Sequence, residues 1–381
     1  MKLPIYLDYN ATTPVAPEVA DAIEPFLRVH FGNPSSSHVY GRQAHEAVER
    51  ARGQVATLIG ASASEIVFTG CATEANNLAI FGVAKALRTK RKHIITSAIE
   101  HPAVMQPCLR LEEQGWDVTT LPVDGDARVH RGALTSALRD DTALVSIMHA
   151  NNEVGTVQDV AGIANIAHAR GAIVHTDAAQ SVGKLPVDVG TLGVDLLTIA
   201  GHKFYATKGV GALYVRRGTP IAPLIVGAEH EHGLRPGTEN VPAIVGLGEA
   251  ARLAGERLPA IQTTLRKMRD LLHQLLANGV RGLMLNGHAE DRLPNTLNVS
   301  FPGIGGRELL RAAENDVAAS VGSACHSDTG TVSGVLAAMG IGIERAVGAV
   351  RLSVGIFTTE AEVRHAAHAL VTRWRELKRS A

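Results

Sequence analysis

The chain has 381 residues, of which 45% are hydrophobic and 19% charged, a balance typical of a globular protein and not of a disordered one. Lysine plus arginine and aspartate plus glutamate each number 37, so the net charge is zero, and binding to nucleic acid or to a membrane surface is disfavoured. Three widely spaced cysteines and no uncharged apolar stretch of roughly 18 residues exclude a disulfide framework and a membrane span; we expect a cytoplasmic protein of two or three domains, at about 150 residues each.

Through the first two-thirds of the chain, short β-branched runs alternate with helical patterns, which is typical of βαβ units and a largely parallel sheet. The predicted strands cover residues 93–96, 118–121, 143–148, 172–176, 196–199 and 211–215. The predicted helices cover residues 41–59, 74–88, 102–114, 132–138 and 160–170. Residues 194–215 fit two strands joined by a glycine-containing turn.

After Gly237 the pattern changes, which indicates a second structural unit. Its predicted elements are a long helix over residues 241–277, a strand over 296–301, a helix over 307–314, a Gly/Ser-rich loop over 322–334, a strand over 350–354 and a helix over 360–378. We therefore predict an α/β fold in which residues 15–257 form a large domain, while residues 1–14 and 258–381 form a smaller α+β domain.

Common local motifs do not explain the chemistry. The patterns GxGxxG, GxxxxGK[ST] and GxSxG are absent. His230 and His232 could be drawn as a metal site, but two histidines without a third ligand do not define a zinc centre. We interpret them as part of a polar loop and predict no metal.

Asp177 ends a predicted buried strand, in the segment VHTDAAQ over residues 174–180. In open parallel sheets, ligands bind at the carboxyl ends of the strands, so Asp177 is placed to meet a cofactor. Capping of the following turn is the alternative, and this segment alone leaves both open.

Lys203 follows the next predicted strand, in the segment AGHKFY over residues 200–205. Desolvation beside His202 and apolar neighbours can lower the pKa of a lysine, as a Schiff-base lysine needs; a lysine that extends into solvent is the alternative. The pairing with Asp177 favours the first interpretation. Pyridoxal 5'-phosphate requires one partner for its pyridine nitrogen and one lysine for its aldehyde.

Thr73 lies among small and hydroxyl residues directly before a strong helix pattern. The free N–H groups of such a helix start can hold a phosphate, although Thr73 can equally be an ordinary N-cap.

Cys325 lies in GSACHSDTG, residues 322–330, where an exposed thiol beside a histidine can be activated. We expect Cys71 and Cys108 instead to pack as small apolar groups.

Ten motifs, in order from residue 6 to residue 355, resemble those of class V pyridoxal-phosphate enzymes of the cysteine desulfurase and selenocysteine lyase family. They are YLDYNATTP (6–14), GNPSS (32–36), TEANN (73–77), EH (100–101), NNEVG (151–155), HTDAAQ (175–180), GHK (201–203), RPGTEN (235–240), GSAC (322–325) and RLSVG (351–355).

The resemblance implies fold type I, with a mostly parallel seven-stranded sheet, and pyridoxal 5'-phosphate as cofactor. It implies that Lys203 is the catalytic Schiff-base lysine, that Asp177 holds the pyridine nitrogen, and that His101 stacks on the ring and assists proton transfer. The remaining implied contacts are Gln180 to the phenolic oxygen; Thr73, His202 and a second subunit's Thr238 to the phosphate; Asn152 to cofactor and substrate; and Arg351, with Asn33 nearby, to the substrate carboxylate.

The implied reaction takes sulfur from L-cysteine, leaving L-alanine and a persulfide on Cys325, in a homodimer that passes sulfur to an acceptor protein. The alternative is a selenocysteine lyase, in which L-selenocysteine gives L-alanine and selenide and Cys325 acts as an acid or orienting group. A class V aminotransferase is disfavoured by the GSAC segment. A non-catalytic homologue is disfavoured by the presence of Lys203, Asp177, Cys325 and Arg351 together.

Four segments depart from the usual family pattern. Ala200 stands where sulfur-delivering members have a serine that donates to the phosphate, which puts that contact in question. Cys71-Ala72 and Ala228-Glu229-His230 replace glycine-rich segments, and Ala206-Thr207 replaces Gly-Pro. Ala200 and residues 321–328 resemble the selenocysteine lyases more closely than the housekeeping desulfurases.

Overall fold

The computed structural model describes residues 3–322 and 332–380. Its strands are β1 (Ile5–Tyr6), β2 (Ile66–Thr69), β3 (His93–Ser97), β4 (Asp117–Leu121), β5 (Thr142–Ser146), β6 (Ile173–Asp177), β7 (Leu196–Ala200), β8 (Gly211–Val215), β9 (Met284–Leu285), β10 (Thr296–Ser300), β11 (Val317–Ala318) and β12 (Ala349–Ser353). Its helices are α1 (Pro17–Arg28), α2 (Val39–Leu58), α3 (Ala72–Leu87), α4 (Pro102–Glu113), α5 (Arg131–Ala137), α6 (Val160–His168), α7 (Val189–Leu192), α8 (Val241–Gly279), α9 (Gly306–Ala312), α10 (Gly334–Ala338), α11 (Ile343–Val347) and α12 (Glu360–Ser380).

A seven-stranded sheet forms the centre of the larger part, in the order β2-β8-β7-β6-β5-β3-β4. Strands β3 to β7 pair in parallel, and β8 runs antiparallel between β7 and β2. The inner strands β3, β5, β6 and β7 are buried along their whole length, which explains their β-branched and apolar sequences. The predicted α/β fold with a mostly parallel sheet is therefore confirmed.

A second hydrophobic core lies around a three-stranded antiparallel sheet, β12-β10-β9. Helix α12 and the C-terminal half of α8 cover it, with Leu272 of α8 and Leu370 of α12 fully buried. The N-terminal half of α8, through Ile244 and Leu247, packs instead in the core of the large sheet. The domain boundary predicted between residues 257 and 258 falls inside this helix and stays a prediction.

Several described elements were not predicted from sequence, among them β2 and α1. Strand β2 has only four residues, and an apolar run that short fits a strand and a buried helix segment equally well. Helix α1 contains Pro25, which normally argues against a helix interior. The predicted loop over residues 322–334 ends earlier, because Ser333 caps α10 by accepting from the backbone N–H groups of Val335 and Leu336. Within the described residues, no helix combines the length and apolarity needed to cross a bilayer.

Candidate active site

A cavity of about 300 Å³ lies at the carboxyl ends of the central parallel strands. Asp177 is the last residue of β6, and Lys203 ends the short 3₁₀ turn that follows β7. Because β6 and β7 are parallel neighbours, with Asp177 opposite Thr198, both side chains reach the same cavity. The structure thus brings together the two residues on which the cofactor prediction depends.

The Asp177 carboxylate is held by two donors. Its Oδ2 accepts from Asn76 Nδ2 at 2.8 Å, and its Oδ1 accepts from the backbone N–H of Ala179 at 2.9 Å. The second bond is the turn-capping contact considered as the alternative, so Asp177 makes that contact and also lines the cavity. Asn76 is buried, and its Oδ1 has no hydrogen-bond partner among the described residues.

Lys203 directs its amine toward backbone carbonyls of the N-terminal segment. Its Nζ donates to the carbonyl oxygens of Asn10 and Ala11, at 2.5 and 2.8 Å. Both acceptors belong to residues of the cavity wall. The structure therefore places this amine at the cavity, in contrast to the alternative of a lysine extended into solvent.

His101 caps helix α4, with its Nδ1 accepting from the backbone N–H of Ala103 at 3.1 Å. Burial lowers the pKa of its imidazole, against the opposing field of Asp177, so the ring is favoured in its neutral form. His101 borders both the main cavity and a second one of about 200 Å³.

The helix start predicted to hold a phosphate lies at one end of the cavity. Cys71 is the N-cap of α3 and makes no side-chain capping bond. The interpretation of Thr73 as N-cap is therefore wrong; Thr73 lies in the first turn, where helix N–H groups lack intrahelical partners. A Cβ at Gly211 of β8 would lie 2.8 Å from the carbonyl carbon of Cys71, so only glycine lets the helix start approach the sheet this closely.

His202 and Ala200 border the same cavity. The Nδ1 of His202 lies 3.1 Å from Thr12 Oγ1. Burial, reinforced by the positive charge of Lys203, lowers the pKa of His202 to about 4, so this ring is neutral near pH 7. Ala200 is buried and offers no hydroxyl, consistent with the concern raised by the sequence.

The expectation for the two other cysteines holds for one of them only. Cys108 is fully buried, and burial raises the pKa of its thiol to about 12, so it packs as a small apolar group. Cys71 is exposed and lies on the cavity wall, so its predicted packing role is wrong. Its position as N-cap at a helix start facing the cavity is what keeps it out of the core.

Arg351 lies on β12 and reaches the cavity from the smaller sheet. Its Nη2 donates to Asp8 Oδ1 at 2.7 Å and its Nη1 to the carbonyl oxygen of Asn152 at 3.1 Å. Arg351 is 2% exposed, and its Nε has no partner among the described residues. A guanidinium that lines a cavity and has N–H groups to spare is suited to bind a small carboxylate.

Three predicted site residues are not brought to this cavity by the described chain. Asn33 is exposed, and its Oδ1 accepts from the backbone N–H of Ser35 at 3.0 Å. Thr238 is exposed and is not part of the cavity wall. Cys325 lies outside the described residues, although Gly322 and Ser333, which flank its segment, border the second cavity together with His101.

Sequence reasoning missed several residues that hold the site in place. Asn76 contacts Asp177, and Lys184 donates to Gln180. Asn76 stands three residues after Thr73, a spacing that puts both residues on one helix face. This spacing could have identified Asn76 as a site residue. His230, considered above for a metal, has its Nε2 3.0 Å from Ser35 Oγ.

The donor set fits pyridoxal 5'-phosphate. An acidic partner (Asp177), an amine (Lys203), a buried ring (His101) and a helix start with unpaired N–H groups surround one cavity. The unpartnered Asn76 Oδ1 and Arg351 Nε are polar atoms that the described residues leave without a hydrogen bond.

Comparisons with known proteins agree with this geometry. Residues 5–365 match the model of the aminotransferase class-V family. The chain is 47% identical to "Cysteine desulfurase IscS" of Dictyoglomus turgidum over 96% of this chain and 93% of that protein. It is 50% identical to the protein of the same name from Pectobacterium carotovorum, over 95% of this chain and 91% of that one. A solved NifS-like protein superposes with a TM-score of 0.91 at 39% identity, covering 99% of this chain and 100% of the other.

Proposed function

Because the chain belongs to the class V aminotransferase family, as its motifs predicted, we propose that it is a pyridoxal-phosphate-dependent cysteine desulfurase. It takes sulfur from L-cysteine, releases L-alanine and holds the sulfur as a persulfide on Cys325. The relatives named as cysteine desulfurases, at about half identity over nearly the whole chain, support this activity. The structural observation that carries it is the convergence of Lys203, Asp177 and Arg351 on one cavity.

The cofactor supplies an electron sink, and the residues of the chain bind it and direct protons. Asp177, held by Asn76, would keep the pyridine nitrogen protonated. Lys203 would hold the cofactor and move the proton of the substrate's α-carbon, with His101 as a second proton carrier. Gln180 would donate to the phenolic oxygen, and Asn152 would contact both cofactor and substrate.

The phosphate is held by the N–H groups at the start of α3, by Thr73 and by His202. A neutral His202 donates from one ring nitrogen, which suits an anion. Ala200 withholds the hydroxyl usual at this place, so the helix start carries more of the binding here.

We attribute the orientation of the substrate to Arg351 and Asn152, which both line the cavity. The guanidinium would bind the substrate carboxylate in a charge-assisted pair. The Cys325 thiolate then bonds to the substrate sulfur as the substrate C–S bond breaks. The electron pair of that bond stays with the substrate carbon, which takes up a proton to become the methyl group of alanine. Alanine leaves, the sulfane sulfur stays on Cys325, and an acceptor protein takes it in a later step.

A homodimer completes the site. Phe31 and Val226 are 74% and 89% exposed, and Phe31 stacks on exposed Tyr40 with ring centroids 5.5 Å apart. An exposed apolar cluster such as this aromatic pair supports an association surface, whereas a single exposed apolar residue does not. The family resemblance assigns a contact with the phosphate to Thr238 of the partner subunit, and the exposure of Thr238 outside its own cavity is compatible with that assignment.

The dimer is tested by molar mass in solution. Phe31→Asp with Val226→Asp should yield monomers that bind the cofactor weakly. Ile343→Asp, at a 75% exposed site on α11, should stay dimeric. A monomeric wild type would refute this part of the proposal.

Selenocysteine remains a second substrate to assay, because Ala200 is buried at the cavity without the hydroxyl of typical sulfur-delivering members.

The purified protein should show a visible cofactor band and release alanine from L-cysteine. Lys203→Ala should abolish the band and the activity, while Lys208→Ala, an exposed neighbour, should keep both. A colourless protein that makes no alanine from either amino acid would end the proposal.

The thiol is identified by mass spectrometry after a single turnover. Cys325→Ala should remove the added sulfur and the activity on cysteine, and Cys71→Ser should leave the sulfur on Cys325. Activity on selenocysteine alone in Cys325→Ala would support a different role of the thiol toward that substrate. Productive amino-group exchange with a keto acid, independent of Cys325, would favour an aminotransferase instead.

A further inference from the structure

Lys184 is a buried lysine at the back of the candidate active site. It is 4% exposed, and its Nζ donates to the carbonyl oxygen and to the side-chain Oε1 of Gln180, both at 3.1 Å. Among the residues that the structure describes, no carboxylate lies within 4.0 Å of this Nζ. Lysines are almost never this buried unless a partner holds them. The contact between Lys184 and Gln180 therefore indicates that the buried amine has a specific role at this position.

The lysine fixes which way the Gln180 amide faces. An ammonium group only donates hydrogen bonds, so the atom of Gln180 beside it must be the oxygen. The amide nitrogen then faces the opposite way, where Gln180 Nε2 donates to the carbonyl oxygen of Asn10 at 3.0 Å. That same carbonyl accepts from Lys203 Nζ at 2.5 Å. Hydrogen bonds therefore connect Lys184, through Gln180 and the Asn10 carbonyl, to the catalytic lysine.

We propose that Lys184 is a positioning residue that locks the Gln180 amide with its N–H groups toward the cavity, making Gln180 an obligatory donor to an anionic ligand oxygen. In the function proposed above, on which this inference rests, that oxygen is the phenolic oxygen of pyridoxal 5'-phosphate. A flipped amide would present its oxygen to the Asn10 carbonyl and to the anion, and would repel both. The lock excludes that state.

Burial, with the positive fields of Lys203 and Arg351, lowers the pKa of Lys184 to about 7. The neutral amine that forms on titration still has N–H groups to donate to Gln180 Oε1, but its lone pair can also accept a hydrogen bond. Above this pKa, the Asn10 carbonyl continues to disfavour the flipped amide, because a carbonyl oxygen only accepts.

The test is the pH midpoint of the visible absorption of the bound cofactor, without substrate. A donor to the phenolic oxygen stabilises its anionic form, so losing that donor should raise the midpoint. Lys184→Met should raise it by about one pH unit, the size expected for one hydrogen bond to a charged group. Lys184→Arg, which keeps a donor, and Lys90→Met, at an exposed site, should stay near the wild-type midpoint.

A double-mutant cycle separates positioning from a direct effect of charge. Gln180→Ala should raise the midpoint as Lys184→Met does, and Lys184→Met should add nothing in the Gln180→Ala background. Additive shifts would mean that Lys184 acts through its charge, and an unshifted Lys184→Met would mean that it does not act on the cofactor. Either result overturns the proposal.

Two further measurements keep the proposal decidable. If Lys184→Met fails to fold, Lys184→Gln replaces it, because the introduced glutamine amide can donate a hydrogen bond without carrying a charge. A wild-type pH midpoint in Lys184→Gln supports the lock. A shift as large as that of Gln180→Ala overturns it. If the wild type binds no cofactor, the proposed function fails. Non-additive losses of Tm for Lys184→Gln and Gln180→Ala in the cofactor-free protein then support the lock, and additive losses overturn it.

Discussion

Arg351 allows a quantitative test of how the substrate is held. Its two terminal nitrogens are occupied by Asp8 and by the Asn152 carbonyl, at 2.7 and 3.1 Å. The Nε–H remains without a described partner, and each terminal nitrogen has a second N–H. We therefore expect a substrate carboxylate to pair with one planar edge of the guanidinium, through N–H groups that the contacts to Asp8 and Asn152 leave unused.

Arg351→Lys keeps the positive charge and removes this planar edge. One charge-assisted hydrogen bond contributes about 1.5–3 kcal/mol, and about 1.4 kcal/mol corresponds to a factor of ten in rate. We therefore expect kcat/KM for L-cysteine to fall about ten- to 150-fold. The visible band of the bound cofactor should stay unchanged, because the role proposed for Arg351 is to bind the substrate and not the cofactor.

The assay is alanine release as a function of cysteine concentration, with Arg345→Lys as the matched control. Arg345 also donates to neighbouring oxygens, those of Asn286 and Leu285, but lies outside the cavity wall. Its conversion to lysine should change Tm more than kcat/KM. If Arg351→Lys keeps kcat/KM within about threefold of wild type, Arg351 does not bind the substrate carboxylate.

Three further predictions concern stability. Burial lowers the pKa of His149 to about 4, below the value near 6.5 of an unfolded histidine. As the pH falls from about 6.5 to 4, the unfolded chain therefore binds more protons than the folded chain, and the wild type loses stability. The Tm of His149→Asn should fall less over this pH range. Burial raises the pKa of Glu100 to about 8, so its contribution to stability is present below about 4.5 and is lost as pH rises through 8; Glu100→Gln should flatten that loss in thermal melts. Arg52 pairs with the buried Glu231 through two bonds of 2.7 and 2.8 Å, so Arg52→Met should cost about 3–5 kcal/mol in urea unfolding, and adding Glu231→Leu should recover part of it; an unchanged urea midpoint in Arg52→Met would contradict this reasoning.

The central sheet could be predicted because burial on both faces imposes a composition. Strands β3, β5, β6 and β7 are buried throughout, and apolar and β-branched residues predominate in that environment. Strand β8 was predicted with its observed bounds. Strand β2 was missed because its pairing with β8, which a local pattern cannot reveal, is what makes four residues a strand.

The candidate site was also only partly predictable from sequence. Asp177 and Lys203 could be predicted because a local pattern identifies the end of a strand, and adjacent strands bring their ends together. The contacts that orient these two side chains could not be predicted, because they join distant parts of the chain: Lys203 and Asn10 are 193 positions apart. Cys71 was misjudged because a cysteine beside a helix fits both a core and a cavity wall, and only the fold decides.

The N-terminal segment determines how the two halves of the site face each other. Asn10 accepts from Lys203, which follows β7 of the large sheet. Asp8 accepts from Arg351, which belongs to β12 of the smaller sheet. Because one segment of three residues is bonded to both, it sets the separation between the amine and the guanidinium more directly than either sheet does. In the proposed function a substrate amino acid reaches both groups at once, so Asp8→Ala should lower kcat/KM for L-cysteine while the visible band of the bound cofactor stays unchanged.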